Sequence, residues 1–260
     1  MSYAYIALHI EANLARLTLN RPDVHNAFDD RMITELLDAL DVVANHAEIR
    51  LLVLASNGKN FSAGADLAWM RAMASKNYAD NCADAAQLSL LMQRLDELPQ
   101  PTIALVRGAA FGGAVGLLAC CDIVLAEASA SFCLSEVKIG LIPAVISPYV
   151  MRAMGHRQAR RYMLSAERFS AETALAIGLV HELTADLDGR LEQLQQLLVA
   201  NSPAAVKAAK RLALAIDQQP LNDATRQHTV TEIAQIRVSA EGQEGLTAFL
   251  EKRTPAWIKG

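Results

Sequence analysis

The sequence has no block of basic residues, no CxxC pair and no apolar run long enough to cross a bilayer. Each absence removes a class of function. Lys and Arg number 24 against 28 Asp and Glu, a formal net charge of −4, so the clustered positive charge on which nucleic-acid affinity rests is lacking. The apolar stretch after Val106 is interrupted by Arg107, several glycines and Asp122, whereas a spanning helix needs about 20 apolar residues. The cysteines are Cys82, Cys120, Cys121 and Cys133, and the adjacent pair reads as small apolar core residues. The first residues, MSYAYIALHIEANLARL, carry no basic segment followed by an apolar one, so no secretory signal is read there. A reduced, soluble, cytoplasmic chain without a membrane or nucleic-acid partner is the expectation. The histidines never fall at ligand spacing, so no metal site is expected. GxSxG, Walker A and GxGxxG motifs are absent as well, and no repeat period stands out.

What is present suits a well-buried globular chain: 260 residues, 52% hydrophobic and 20% charged. That length fits one large domain, or one with an appendage. Residues 3–9 and 13–19 alternate as strands joined by a turn at Glu11-Ala12. From Asp29, the spacing of Met32, Leu36, Leu40 and Val43 predicts an amphipathic helix. The apolar runs 50–56, 102–108 and 122–127 read as buried strands, and helices are expected from Leu67 and over about 80–97. SFCLSEVKIG (131–140) reads as strand-like, with Glu136 at a strand end. Strand, loop and helix recur, which favours an α/β fold with crossover connections. From about 188 onward the chain reads as helix, broken near Ser202-Pro203 and Gln219-Pro220.

Two strand-to-helix turns carry small residues: FSAGADL around Gly64-Ala65 and AAFGGAVGL around Gly112-Gly113. Backbone N–H groups at a helix start have no intrahelical partner. Two such turns can aim one N–H each at a single oxygen and form an oxyanion hole, in which one donor contributes about 3 kcal/mol of transition-state stabilisation. The same residues also suit ordinary tight turns, with Asp66 as a helix cap.

NRPDVHNAF, NFSAGADL, GAAFGGAVGLLACCD, FCLSEVKIGLIP and EGLTAFLEKR, in that order from residue 20 to 253, resemble the signatures of the enoyl-CoA hydratase/isomerase (crotonase) superfamily. The resemblance implies a crotonase-like α/β spiral of ββα turns over residues 1–195 and a C-terminal helical oligomerisation region over 196–260. It also implies a homotrimer or homohexamer. The implied substrate is an acyl-CoA thioester, with coenzyme A part of the substrate and no separate cofactor. Its carbonyl oxygen would take the N–H groups of Ala65 and Gly113, with Gly112 clearing the approach, so that an enolate is stabilised.

By position in the family, Glu136 is one of two glutamates that handle water. Its apolar neighbours Phe132, Leu134, Val137 and Ile139 would raise its pKa toward a useful range; a solvated glutamate is the plainer alternative. The second glutamate would fall at 116, where this chain has Gly116. One carboxylate suits a Δ3-Δ2 enoyl-CoA isomerase, yet it can also serve a hydratase that takes and returns the proton on one face. A catalytically idle CoA-binding scaffold is the reading from another class. GADLAWM, CCD, ARRYMLSAERF and EGQEGLTAFLEKRTPAW look like bacterial hydratases of 3-methylglutaconyl-CoA (leucine degradation) or its longer carboxygeranoyl analogue. A distal carboxylate would want Arg71, Lys138 or Arg152. For CoA, the matching positions are Val24 near the pantetheine and Ala63, Asp66 and Leu67 around the adenine. Phe249 and Lys252 would come from a neighbouring subunit, or simply pack on the terminal helix surface. Asp23, where many relatives carry Lys, weakens a basic clamp at that end.

Overall fold

The computed structural model describes residues 3–258. It opens with a hairpin, β1 (Ile6–Glu11) and β2 (Leu14–Leu19), in which Ala12 takes a left-handed turn conformation. Alternation in β2 sends Ala15, Leu17 and Leu19 inward. Asp29 then caps α1 (Asp30–Asn45) by accepting from the Met32 amide, and Met32, Leu36, Leu40 and Val43 form its buried stripe. This helix crosses over to β3 (Leu51–Ser56), which lies parallel to β2.

After α2 (Leu67–Ala74) and α3 (Tyr78–Asp96) the chain returns in β4 (Thr102–Val106), then forms β5 (Ala109–Phe111) and α4 (Gly113–Ala119). The next turn is β6 (Ile123–Ala126), β7 (Ser131–Cys133), a 3-10 turn at Glu136–Ile139, α5 (Ser147–Met154) and α6 (His156–Ser165). The last is β8 (Phe169–Ser170), α7 (Ala171–Ala176) and β9 (Glu182–Leu183). One sheet runs β1-β2-β3-β4-β6-β9 and a second runs β5-β7-β8. The turns that open with β4 and β6 each deposit one strand in each sheet and then helix, and the last adds β8 to the second sheet and, after α7, β9 to the first, giving the expected mixed α/β spiral. The run 131–140 is strand only to Cys133. Glu136 stands on the 3-10 turn instead of a strand end, because Gly140 in left-handed conformation curls the chain there.

Leu52, Leu54, Ala104 and Val106 face one core, while Leu51, Val53, Ile103 and Leu105 face another, so β3 and β4 are apolar on both sides. The second face is covered by α8 (Leu187–Ala200) through Leu187 and Leu191. After Asn201-Ser202 the chain continues as α9 (Pro203–Ile216), α10 (Asp223–Val238) and α11 (Ala240–Glu251). Among the described residues, no helix is long and apolar enough to cross a membrane.

A buried asparagine joins the two loops nearest the glycine turns. Asn26 is fully buried; its side chain accepts from the Arg21 amide and donates to the carbonyls of Asn57 and Asn60. Asn26→Ala strands these groups, each at about 1–3 kcal/mol. Urea denaturation is expected to show a loss of roughly 3 kcal/mol or more; a loss under 1 kcal/mol would contradict this account.

Candidate active site

Residues 62–65 lie beside 109–113. The Ser62 amide donates to the Ala109 carbonyl and the Phe111 amide to the Ser62 carbonyl. On its other side this segment meets Phe28, whose amide donates to the Gly64 carbonyl while its own carbonyl accepts from Asp66. In extended backbone, the amide of the intervening residue points the opposite way. Ala65 therefore turns its N–H away from Phe28. Asp66 next caps α2, accepting from the amides of Ala68 and Trp69, and pairs with Arg21 at 3.2 Å. Burial would raise its carboxyl, but these hydrogen bonds and Arg21 hold it below the usual carboxylate range. Arg21 also pairs with Asp29 at 3.0 Å and stacks over Tyr5.

The second turn depends on Gly112, at φ +56° and ψ −124°, where only glycine sits comfortably. A Cβ there would lie 3.2 Å from Oε1 of Glu136. A Cβ on Gly64 would lie 3.1 Å from the Phe111 carbonyl oxygen, so the two turns are packed backbone to backbone. Gly113 opens α4, whose first amides have no intrahelical acceptor. Among the described residues, no hydrogen bond takes the N–H of Ala65 or of Gly113. Two free donors thus stand on adjoining turns, with a carboxylate against the glycine between them.

That carboxylate is mostly buried, and among the described residues its Oε2 has no hydrogen-bond partner. Burial pushes the Glu136 carboxyl upward, and its own backbone amide offsets this only in part. Gly116 lies one turn further along α4 and is buried. A Cβ at 116 would stand 2.2 Å from Cγ2 of Ile146 and 3.3 Å from Sδ of Met92. Hydrocarbon and a thioether fill the volume beside Gly116. Nothing in the sequence around Ile146 (LIPAVISPYV) marks this role, which arises only where α5 meets α4.

The remaining expected positions divide. Val24, Ala63 and Leu67 are exposed on the segments that carry Ala65 and the Asn26 loop. Phe249 and Lys252 are exposed at the end of α11. Among the described residues, the hydrogen bonds of that terminal stretch to the rest of the chain run to residues 200–204, and none reaches the glycine turns or Glu136. Arg152 pairs with Asp96, and with Asp217 at 3.9 Å, and lines a cavity of about 270 Å³ with Cys120, Asp122 and His181. It is engaged at the far end of α4. Arg71 and Lys138 are exposed, with Lys138 on the same 3-10 turn as Glu136. Among the described residues, no cluster of His, Cys, Asp or Glu could hold a metal ion.

Comparison with known proteins agrees with this arrangement. The profile of the enoyl-CoA hydratase/isomerase family matches residues 9–260. The crystal structure of an enoyl-CoA hydratase from Shewanella pealeana is 51% identical, with a TM-score of 0.96 over 98% of this chain and 96% of that one. A 2,3-dehydroadipyl-CoA hydratase of Escherichia coli is 34% identical over 92% of each chain. A crotonyl-CoA hydratase of Syntrophomonas wolfei is 30% identical over 99% of each. With the glycine turns, the free amides and the buried glutamate in place, the chain belongs to the enoyl-CoA hydratase/isomerase family.

Proposed function

We propose that the protein adds water across the 2,3 double bond of an enoyl-CoA thioester, with a branched 3-methyl-enoyl-CoA such as 3-methylglutaconyl-CoA as its substrate. The observation that carries this reading is the buried, partnerless Glu136 carboxylate lying against Gly112, beside the free Gly113 amide. Hydratases among the relatives support it. The thioester oxygen accepts from the N–H groups of Ala65 and Gly113, which strengthen their hold as negative charge develops there. Glu136 takes a proton from water as the oxygen of that water bonds to C3. The electron pair of the double bond passes to the thioester as an enolate. Glu136 then returns the proton to C2 on the same face, and the carboxylate is restored.

Val24, Ala63, Asp66 and Leu67 would flank the CoA moiety, which belongs to the substrate. Phe249 and Lys252 would serve the site of an adjoining subunit in a homotrimer or homohexamer. Exposed Val230, Ile233, Val238, Leu246 and Leu250 on α10 and α11 supply apolar surface for such an assembly. Isomerisation of a 3-enoyl-CoA is the second reading, favoured by the apolar filling beside Gly116: one base can move a proton from C2 to C4.

Glu136→Gln is expected to lower kcat by about 10²-fold or more while acyl-CoA affinity is retained; unchanged turnover would mean an idle scaffold. Because burial raises the Glu136 carboxyl, the base is lost on acidification sooner than an ordinary glutamate would be. The acid limb of the kcat/KM profile should therefore stand above the usual glutamate range, and an acid limb at or below that range would remove Glu136 from the base role. Incubation with 3-methylglutaconyl-CoA and, separately, with a 3-enoyl-CoA distinguishes the readings. Hydrated product from the first is expected; isomerised product from the second without hydration of the first would replace hydratase by isomerase.

A further inference from the structure

On the acyl-CoA reading, the acyl chain beyond the thioester carbon would run along α4. Gly113 and Gly116 are one helical turn apart, about 5 Å, and Glu136 stands beside Gly112 at the start of that turn. If the thioester oxygen is held at the Gly113 amide, C3 and C4 reach the level of Gly116. What they meet there is set by a residue distant in sequence. Cγ2 and Cβ of Ile146 occupy the place of the missing Cβ, at 2.2 and 2.7 Å, with Sδ of Met92 behind them. Ile146 is 2% exposed and Met92 is fully buried.

Ile146 is also held firmly. It caps the start of α5, its carbonyl accepts from the Val150 amide, and the next residue, Ser147, bonds back to Ala144 through both its amide and its hydroxyl. A branched Cβ leaves few rotamers, so the methyl presented toward Gly116 is a fixed surface. Behind Met92 the filling continues to the buried Cys120, whose Sγ lies 3.8 Å from Sδ of Met92.

We propose that Ile146, backed by Met92, determines acyl-chain specificity: it closes the α4 face at Gly116 and restricts the chain to short acyl groups. This rests on the acyl-CoA reading above. A methyl branch at C3 packs on Ile146, and a short carboxylate arm is turned toward the mouth of the site, away from the apolar floor, whereas a longer arm meets Ile146 and Met92. Such a floor favours the shorter 3-methylglutaconyl thioester over its extended terpenoid analogue.

The test measures binding rather than turnover. Dissociation constants for butyryl-CoA, isovaleryl-CoA and octanoyl-CoA are measured by calorimetry on the wild type, Ile146→Ala and Ile146→Val, with thermal melting to confirm folding. The wild type should bind butyryl-CoA and isovaleryl-CoA more tightly than octanoyl-CoA. In Ile146→Ala the octanoyl-to-butyryl ratio of dissociation constants should fall at least tenfold, with Ile146→Val intermediate; if the alanine variant fails to fold, the valine variant decides. A ratio within twofold of wild type in every folded variant overturns the role of Ile146 alone. No binding of any thioester to the wild type overturns the acyl-CoA reading, and this proposal with it.

Discussion

The site depends on two stretches of main chain lying closer than side chains would permit. Gly64 and Gly112 both hold positive φ, and a Cβ on either would press on the opposing segment or on Glu136. This contact brings the amides of Ala65 and Gly113 onto adjoining turns, although 48 positions separate them in the sequence. Amides fixed by the backbone need no reorganisation when charge develops, which is why such donors outperform mobile side chains or water. The parallel bridges Phe28–Ala65 and Ser62–Ala110 hold the contact from both sides, and Asn26 ties residues 57–60, which lead into the first turn, to the loop at Arg21.

Against that rigid frame, Glu136 is placed at a cost to the fold. Its Oε2 is buried without a partner, and burial raises its carboxyl pKa. A raised folded-state pKa for an acid means that ionisation opposes folding. Stability from this group is fullest below its unfolded pKa and is lost as pH rises through the folded one. A carboxylate kept free of partners remains available to a proton. The contrast with Asp66 is direct: it is also partly buried, but it is saturated with amides and Arg21 and pulled down. One acid is committed to structure, whereas the other is left open.

Much of this was legible in the sequence, for identifiable reasons. α1 follows from the spacing of Met32, Leu36, Leu40 and Val43, and β3 and β4 from unbroken apolar runs, because both signals are local. The glycine turns could be located from small residues between strand and helix. The division of strands between two sheets was not legible: β4 and β5 are a single run interrupted only by Arg107-Gly108, and which partners they choose is decided by distant segments. Glu136 was placed on a strand end, since the turn that carries it depends on Gly140 three residues beyond Val137. Ile146 gave no signal at all, because an apolar residue between two buried elements looks like any other until its neighbour is seen to lack a side chain.

The fit between Gly116 and Ile146 constrains substitution at either position. A carboxylate at 116 would have to displace Ile146, and an emptied position 146 beside glycine would leave a void. Either substitution made alone thus meets a packing cost that the paired change would relieve. The two positions are therefore coupled through packing: a change at one shifts what the other can hold.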